Sequence, residues 1–177
     1  MLGTIVLLIL CAVIAAIFAL SGDEIKTTKY EPLSDTQISA ICQSNEGLSK
    51  KCEGVIDAGI SLVGKVHYFW GGKSSAIGWD EKWGVPTEVT GEGSETTGTT
   101  KPYGLDCSGF VTWCFIQSGY TPSEADNLIG NGTWNQWDKS TEIKWSELQP
   151  GDLVFQNAYP TNKGNHIGIC VGYDDNN

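Results

Sequence analysis

Residues 104–119 read GLDCSGFVTWCFIQSG, and the fold turns on how they are taken. Cys107, Phe110, Val111, Cys114 and Phe115 recur at i, i+3, i+4, i+7 and i+8, which predicts a buried helix running to Gly119. Asp106, just before it, has the short acceptor side chain that caps a helix start. Downstream, Leu148-Gln149-Pro150-Gly151-Asp152 predicts a turn leading into Leu153-Val154-Phe155. From His166 the chain alternates, with Ile167, Ile169, Val171 and Tyr173 on one face and His166, Gly168, Cys170 and Gly172 on the other, a strand pattern. Upstream, Ser34-Asp35-Thr36-Gln37 has capping-box spacing and opens a short helix carrying Ile38, Ile41 and Cys42. A second helix from about Ser49 places Cys52, Val55, Ile56, Gly59 and Val63 on one face and stops at Gly64. Helices first and strands second imply an α+β fold with an antiparallel sheet. The stretch from Gly119 to Leu148 reads as irregular.

The whole chain is 177 residues, 40% hydrophobic and 18% charged, enough apolar material for one domain with a core. Its 21 acidic residues outweigh 11 basic ones, giving a net charge of −10, and all the basic residues are lysines. Nucleic-acid binding is excluded on these grounds, because no basic patch is available to neutralise a phosphate backbone.

Leu2 to Gly22 is a run of 21 uncharged residues, roughly 30 Å long as a helix and so the thickness of a bilayer core. Residues 1–22 read as a transmembrane anchor or an uncleaved signal; no Lys or Arg precedes the run, which favours the anchor over a cleaved leader. Residues 23–33, DEIKTTKYEPL, mix both charge signs and read as a linker. Residues 34–177 then form the globular domain. Within it, residues 73–103 lack periodicity, and TEVTGEGSETTGTT (87–100) predicts a mobile, low-complexity segment. That segment leaves just after Tyr68-Phe69-Trp70-Gly71-Gly72 and returns just before Asp106-Cys107, so it is expected to rim whatever site lies there.

Cys107 is the sharpest chemical candidate. At a helix N-terminus the aligned peptide dipoles favour a thiolate, which is the nucleophilic form. Its place on the apolar stripe fits a buried core cysteine equally. His166 opens a strand whose same-face neighbours are small, leaving space beside it, although a lone histidine is commonly structural. A cysteine at a helix start with a strand-borne histidine downstream is what a thiol hydrolase needs, a base beside a nucleophile. Cys114 reads as core, Cys170 as packed beside His166, and Cys42 and Cys52 as either a disulfide or two separate thiols. His67 reads as a surface or packed residue. No Cys-x-x-Cys or close His pair is present to bind zinc, and neither a metal nor another cofactor is expected. Asn131-Gly132-Thr133 matches a glycosylation pattern, and Trp79, Trp83, Trp134, Trp137 and Trp145 read as core or loop anchors, one or two of them free to stack on sugar or peptide.

Asp106-Cys107-Ser108-Gly109-Phe110, with Tyr68–Gly72 before it and Leu148–Phe155 and His166-Ile167-Gly168-Ile169 after it, resembles the NlpC/P60 cysteine peptidases over roughly residues 50–173. The resemblance implies a papain-like α+β fold with the nucleophile's helix packed on an antiparallel sheet. It implies hydrolysis of peptidoglycan stem peptides at the bond between γ-D-glutamate and the following diamino acid, outside the membrane of a bacterial, Gram-positive cell, or as a secreted enzyme. Carried over by motif position, Cys107 is the nucleophile, His166 the base and Tyr68 a neighbour of the oxyanion, while Asp106 and Ser108 contact substrate. The chain departs from the family in its long insertion after Gly72. It also ends at Asn177, so that the family's third polar residue is expected either beyond that point or as a weak substitute among the asparagines of the last residues. Two rival readings follow: a CHAP-like amidase and an inactive wall-binding module.

Overall fold

The computed structural model describes residues 34–45, 47–158 and 163–172; the expected anchor (2–22), the linker (23–33) and Tyr173 lie outside the described residues. Among the described residues no helix is long and apolar enough to cross a membrane. Helix α1 (Asp35–Ser44) opens with the expected box: the Gln37 amide donates to the Ser34 hydroxyl and the Gln37 side chain accepts from Ser34. Helix α2 (Lys50–Leu62) is capped by Ser49, whose side chain accepts from the Cys52 amide. Helix α3 (Cys107–Gln117) is capped by Asp106.

Small residues bring α2 and α3 together. An added Cβ on Gly54 would lie 3.0 Å from Ser118, and one on Gly59 would lie 3.3 Å from Phe110. The other side of α3 meets the hairpin of β3 (Leu153–Ala158) and β4 (Lys163–Ile169), which pair antiparallel with Leu153 opposite Ile169 and Gln156 opposite His166. Val55, Leu62, Cys107, Val111, Cys114, Ile167 and Ile169 share one core, so α3 is sandwiched between helix and sheet. Its burial therefore exceeds the predicted stripe: Ser108, Gly109, Trp113 and Ile116 are also buried, because neighbours cover more than one face. Ile41, Ile56 and Val171 form a second, smaller cluster.

Two expectations are corrected. The stretch after Gly119 holds two helices, α4 (Pro122–Ile129) and α5 (Thr133–Lys139). The first has a complete capping box between Thr121 and Glu124 with Pro122 at its start; the second, at seven residues, is too short to show a period. The insertion also has structure where a mobile segment was expected: β1 (Pro86–Glu88) and β2 (Thr100–Pro102) form an antiparallel hairpin. Its order comes from anchors rather than composition. Trp83 is buried edge-on against Trp113, Val89 is buried, and the Trp70 indole donates to the Glu92 carbonyl at 3.0 Å.

Cys52 is a free thiol that donates to the Pro150 carbonyl at 3.3 Å, so of the two readings open for it the structure has the separate thiol. The Cys42 side chain lies outside what is described.

The segment 67–72 lies directly against 104–109. Tyr68 and Leu105 form a parallel bridge, the Phe69 amide donates to the Leu105 carbonyl, and the Leu105 amide donates to the His67 carbonyl, both at 3.1 Å. A Cβ on Gly104 would strike the His67 carbonyl, whereas one on Gly71, at φ 78°, would meet nothing. Gly104→Ala is therefore expected to cost about 3 kcal/mol or more, overpacking backbone against backbone, and Gly71→Ala only about 1 kcal/mol, for the left-handed conformation. Urea unfolding of the two variants checks the order; equal losses would show that the two segments can separate cheaply.

Candidate active site

The parallel bridge puts Tyr68 beside the residue that starts α3. There the Asp106 carboxylate does several things at once. Its Oδ1 accepts from the Gly109 amide at 2.6 Å, closing the first helical turn, and from the Ser108 hydroxyl at 2.9 Å. The Lys73 ammonium donates to both carboxylate oxygens, at 2.6 and 2.8 Å, and to the Ser108 hydroxyl. The Asp106 amide donates to the Gly72 carbonyl at 3.0 Å. Asp106 and Ser108 are thus engaged within the protein, through the first residue of the insertion. A groove of about 520 Å³ runs beside them, lined by Lys73, Ser74, Asp80, Gly109, Thr112 and Asp126; Cys107, Tyr68 and His166 do not line it.

Cys107 is the first residue of α3, and its sulfur is buried at the junction of three elements. The Thr133 hydroxyl, at the start of α5, lies 3.4 Å from it. The Tyr68 phenol hydrogen-bonds it from the 67–69 segment, and the Ile167 and Ser108 amides donate to it. Burial pushes the thiol above its ordinary pKa and the Asp106 charge adds to that, while the Thr133 hydroxyl and the two amides work the other way. The thiolate expected from the helix terminus is therefore not preformed, because burial outweighs the dipole. Tyr68 is raised far above the phenol range, chiefly by burial and then by Cys107 and Asp106, so its hydroxyl stays protonated and can donate.

His166 stands on β4, next to the residue whose amide reaches the sulfur. Its imidazole is half-buried and is not among the thiol's hydrogen-bond partners. Burial lowers its pKa and the Asp106 carboxylate partly opposes this, so at neutral pH both the thiol and the imidazole are neutral. Cys170 and Cys114 are both buried, and burial pushes both thiols up, Cys114 far above the ordinary range. Among the described residues no three His, Cys, Asp or Glu side chains gather to hold a metal.

Lys73, Thr133 and Gln136 escaped the sequence reading. Gln136 is wholly buried and ties α5 to α3, its Nε2 donating to the Ser108 carbonyl and the Thr112 hydroxyl, each at 3.2 Å. In the sequence Thr133 stands out only as part of a glycosylation pattern; its distance of 26 residues from Cys107 offers no local signal.

The fold and the site define an α+β domain with a thiol at the first turn of a buried helix and a histidine on the adjoining hairpin. The sequence model of the NlpC/P60 family matches residues 64–176. The chain belongs to the NlpC/P60 family. Among curated proteins it is similar to the "Peptidoglycan DL-endopeptidase CwlO" of Bacillus licheniformis, 29% identical over 123 residues that make up 68% of this chain and 20% of that protein. It is also similar to a "Probable endopeptidase p60" of Listeria grayi, 42% identical over 77 residues, 44% of this chain and 13% of that protein. The chain thus spans a fifth or less of the length of these relatives. No solved structure matches it significantly.

Burial separates the cysteines. In the folded chain iodoacetamide is expected to modify Cys107 before Cys114, with Cys114 reacting only on unfolding, as read by peptide mass. Faster labelling of Cys114 would remove Cys107 as the candidate nucleophile.

Proposed function

We propose that the chain is a cysteine peptidase that hydrolyses peptidoglycan stem peptides between γ-D-glutamate and the following diamino acid. The observation that carries this reading is the seat of Cys107, a thiol ringed by hydrogen-bond donors at a helix start beside the strand of His166. Family membership and the names of the similar endopeptidases support the substrate class.

In this reading His166 takes the Cys107 proton as the sulfur attacks the amide carbonyl. Because the thiol is raised and the imidazole lowered, the proton moves during attack rather than before it. The carbonyl oxygen becomes an oxyanion within reach of the Tyr68 hydroxyl. The imidazolium then protonates the leaving amine, and water cleaves the acyl-enzyme with His166 again as base. Asp106 and Ser108 meet the substrate at the rim of the cleft once the Lys73 ammonium gives way. Neither a metal nor an organic cofactor takes part. Residues 2–22, uncharged over a bilayer's thickness, would hold the domain at the outer face of the cell membrane.

Incubating the full chain with a soluble stem peptide and reading product masses tests the proposal. Cleavage after D-glutamate is expected, with loss of about a thousandfold or more in Cys107→Ala. Amidase products, or no turnover by the folded chain, would overturn it. The pH profile gives a second check. The base must be neutral to accept a proton, and burial depresses its pKa. The acid limb of kcat/KM is therefore expected below the ordinary imidazole value of about 6.5; a limb above it would exclude a buried His166 as the base.

A further inference from the structure

One side chain that hydrogen-bonds the sulfur belongs to no motif. Thr133 Oγ1 lies 3.4 Å from Cys107 Sγ across a junction between two helices. The hydroxyl is not spent on closing its own helix, because Gly132 occupies the N-cap of α5 and no side chain caps that end. Nor is α5 loosely placed. Gln136, three residues on and so on the same face, is wholly buried and bonded to the Ser108 carbonyl and the Thr112 hydroxyl of α3. Trp137 packs edge-on against Phe155 of β3, with ring centroids 5.2 Å apart. Helix α5 is thereby fixed both to the helix that carries the nucleophile and to the hairpin that carries His166.

We propose that Thr133 is a positioning residue for the Cys107 nucleophile, its hydroxyl accepting from the thiol at rest and donating to the thiolate once the proton has left. The inference rests on the peptidase reading for its consequence in turnover, but the contact itself needs no substrate. A hydroxyl is suited to this because it carries both a proton and lone pairs, and a rotation about its C–O bond reverses its role without moving a heavy atom. A backbone amide, such as that of Ile167, can only donate. Because α5 is anchored, the donor is in place before charge appears on the sulfur, so little reorganisation accompanies ionisation.

The other groups that face the sulfur define what Thr133 must offset. From its own helix start the Asp106 carboxylate opposes ionisation, and Lys73 holds that carboxylate from the insertion. From the 67–69 segment Tyr68 presents a protonated phenol. On β4 the Ile167 amide donates, and His166 stands next to it. Removing the Thr133 hydroxyl leaves desolvation and Asp106 opposed by fewer donors.

The test is the pH dependence of iodoacetamide alkylation at Cys107 in the full chain, read by mass on the peptide carrying it. Thr133→Val keeps the shape and removes the hydroxyl. It is expected to raise the Cys107 pKa by about one unit and slow alkylation at neutral pH about tenfold, the order of one hydrogen bond to an ionised group. Thr133→Ser keeps the hydroxyl and is expected to stay within about twofold of the parent, since the bonding group is unchanged. Thermal unfolding identifies any variant that fails to fold; Thr133→Ala, which adds no bulk, then takes the place of valine. An unchanged alkylation profile in a folded variant lacking the hydroxyl overturns the proposal, as does a serine variant that behaves like valine. On a stem peptide the valine change should lower kcat with little effect on KM. A shifted alkylation profile in a chain that hydrolyses no stem peptide would overturn the peptidase reading and leave the thiolate contact standing.

Discussion

Everything at the site depends on two stretches of backbone lying closer than side chains would permit. Gly72, Gly104 and Gly109 each face a backbone carbonyl across the contact between 67–72 and 104–109, and a Cβ at any of them would collide with it. Only this approach lets the Asp106 amide reach the Gly72 carbonyl and lets Tyr68 pair beside Leu105. The first turn of α3 is therefore docked on the segment that supplies Tyr68 and leads directly into Lys73. Cys107 inherits its surroundings from that docking.

The electrostatic consequence is a site that is neutral at rest. Burial acts in opposite senses on the two groups, up for the Cys107 thiol and down for the His166 imidazole, because each is penalised in its charged form. A preformed thiolate–imidazolium pair would place both charges in a poorly solvated cleft, beside an Asp106 already paired with Lys73. The groups around the sulfur, from Tyr68, Thr133, Ser108 and Ile167, surround a thiol that burial keeps protonated. Lys73 links this balance to the insertion. By bonding Asp106 and Ser108 it offsets the negative charge beside the Cys107 thiol and holds both side chains within the protein.

The insertion and the helices α4 and α5 surround this centre for reasons of packing. Residues 73–103 have too little apolar content to form a core of their own, yet Trp83 inserts into the main core against Trp113, and Tyr103 accepts from the Lys73 amide and donates to its carbonyl. Helix α5 borrows its order in the same way, through one buried glutamine and one ring contact. Both are segments whose conformation comes from what they touch.

What the sequence determined by itself was whatever rests on local rules. The capping residues Ser34 and Asp106, the apolar periods of 52–63 and 107–115 and the alternation after His166 all act over a few residues, so they placed α1, α2, α3 and the hairpin and singled out Cys107 and His166, while Tyr68 came from the resemblance in motif order. The hairpin in the insertion and the helix at 133–139 were illegible because their stabilising contacts come from Trp70, Trp113, Ser108 and Phe155, distant along the chain. The same holds for Thr133 and Lys73 at the site, and for the direction in which the thiol is shifted. A helix dipole can be inferred from a capping residue, but desolvation depends on how many neighbours enclose the sulfur. Only the packing of α3 between α2, α5 and the hairpin decided that number, and with it that Cys107 rests as a neutral thiol.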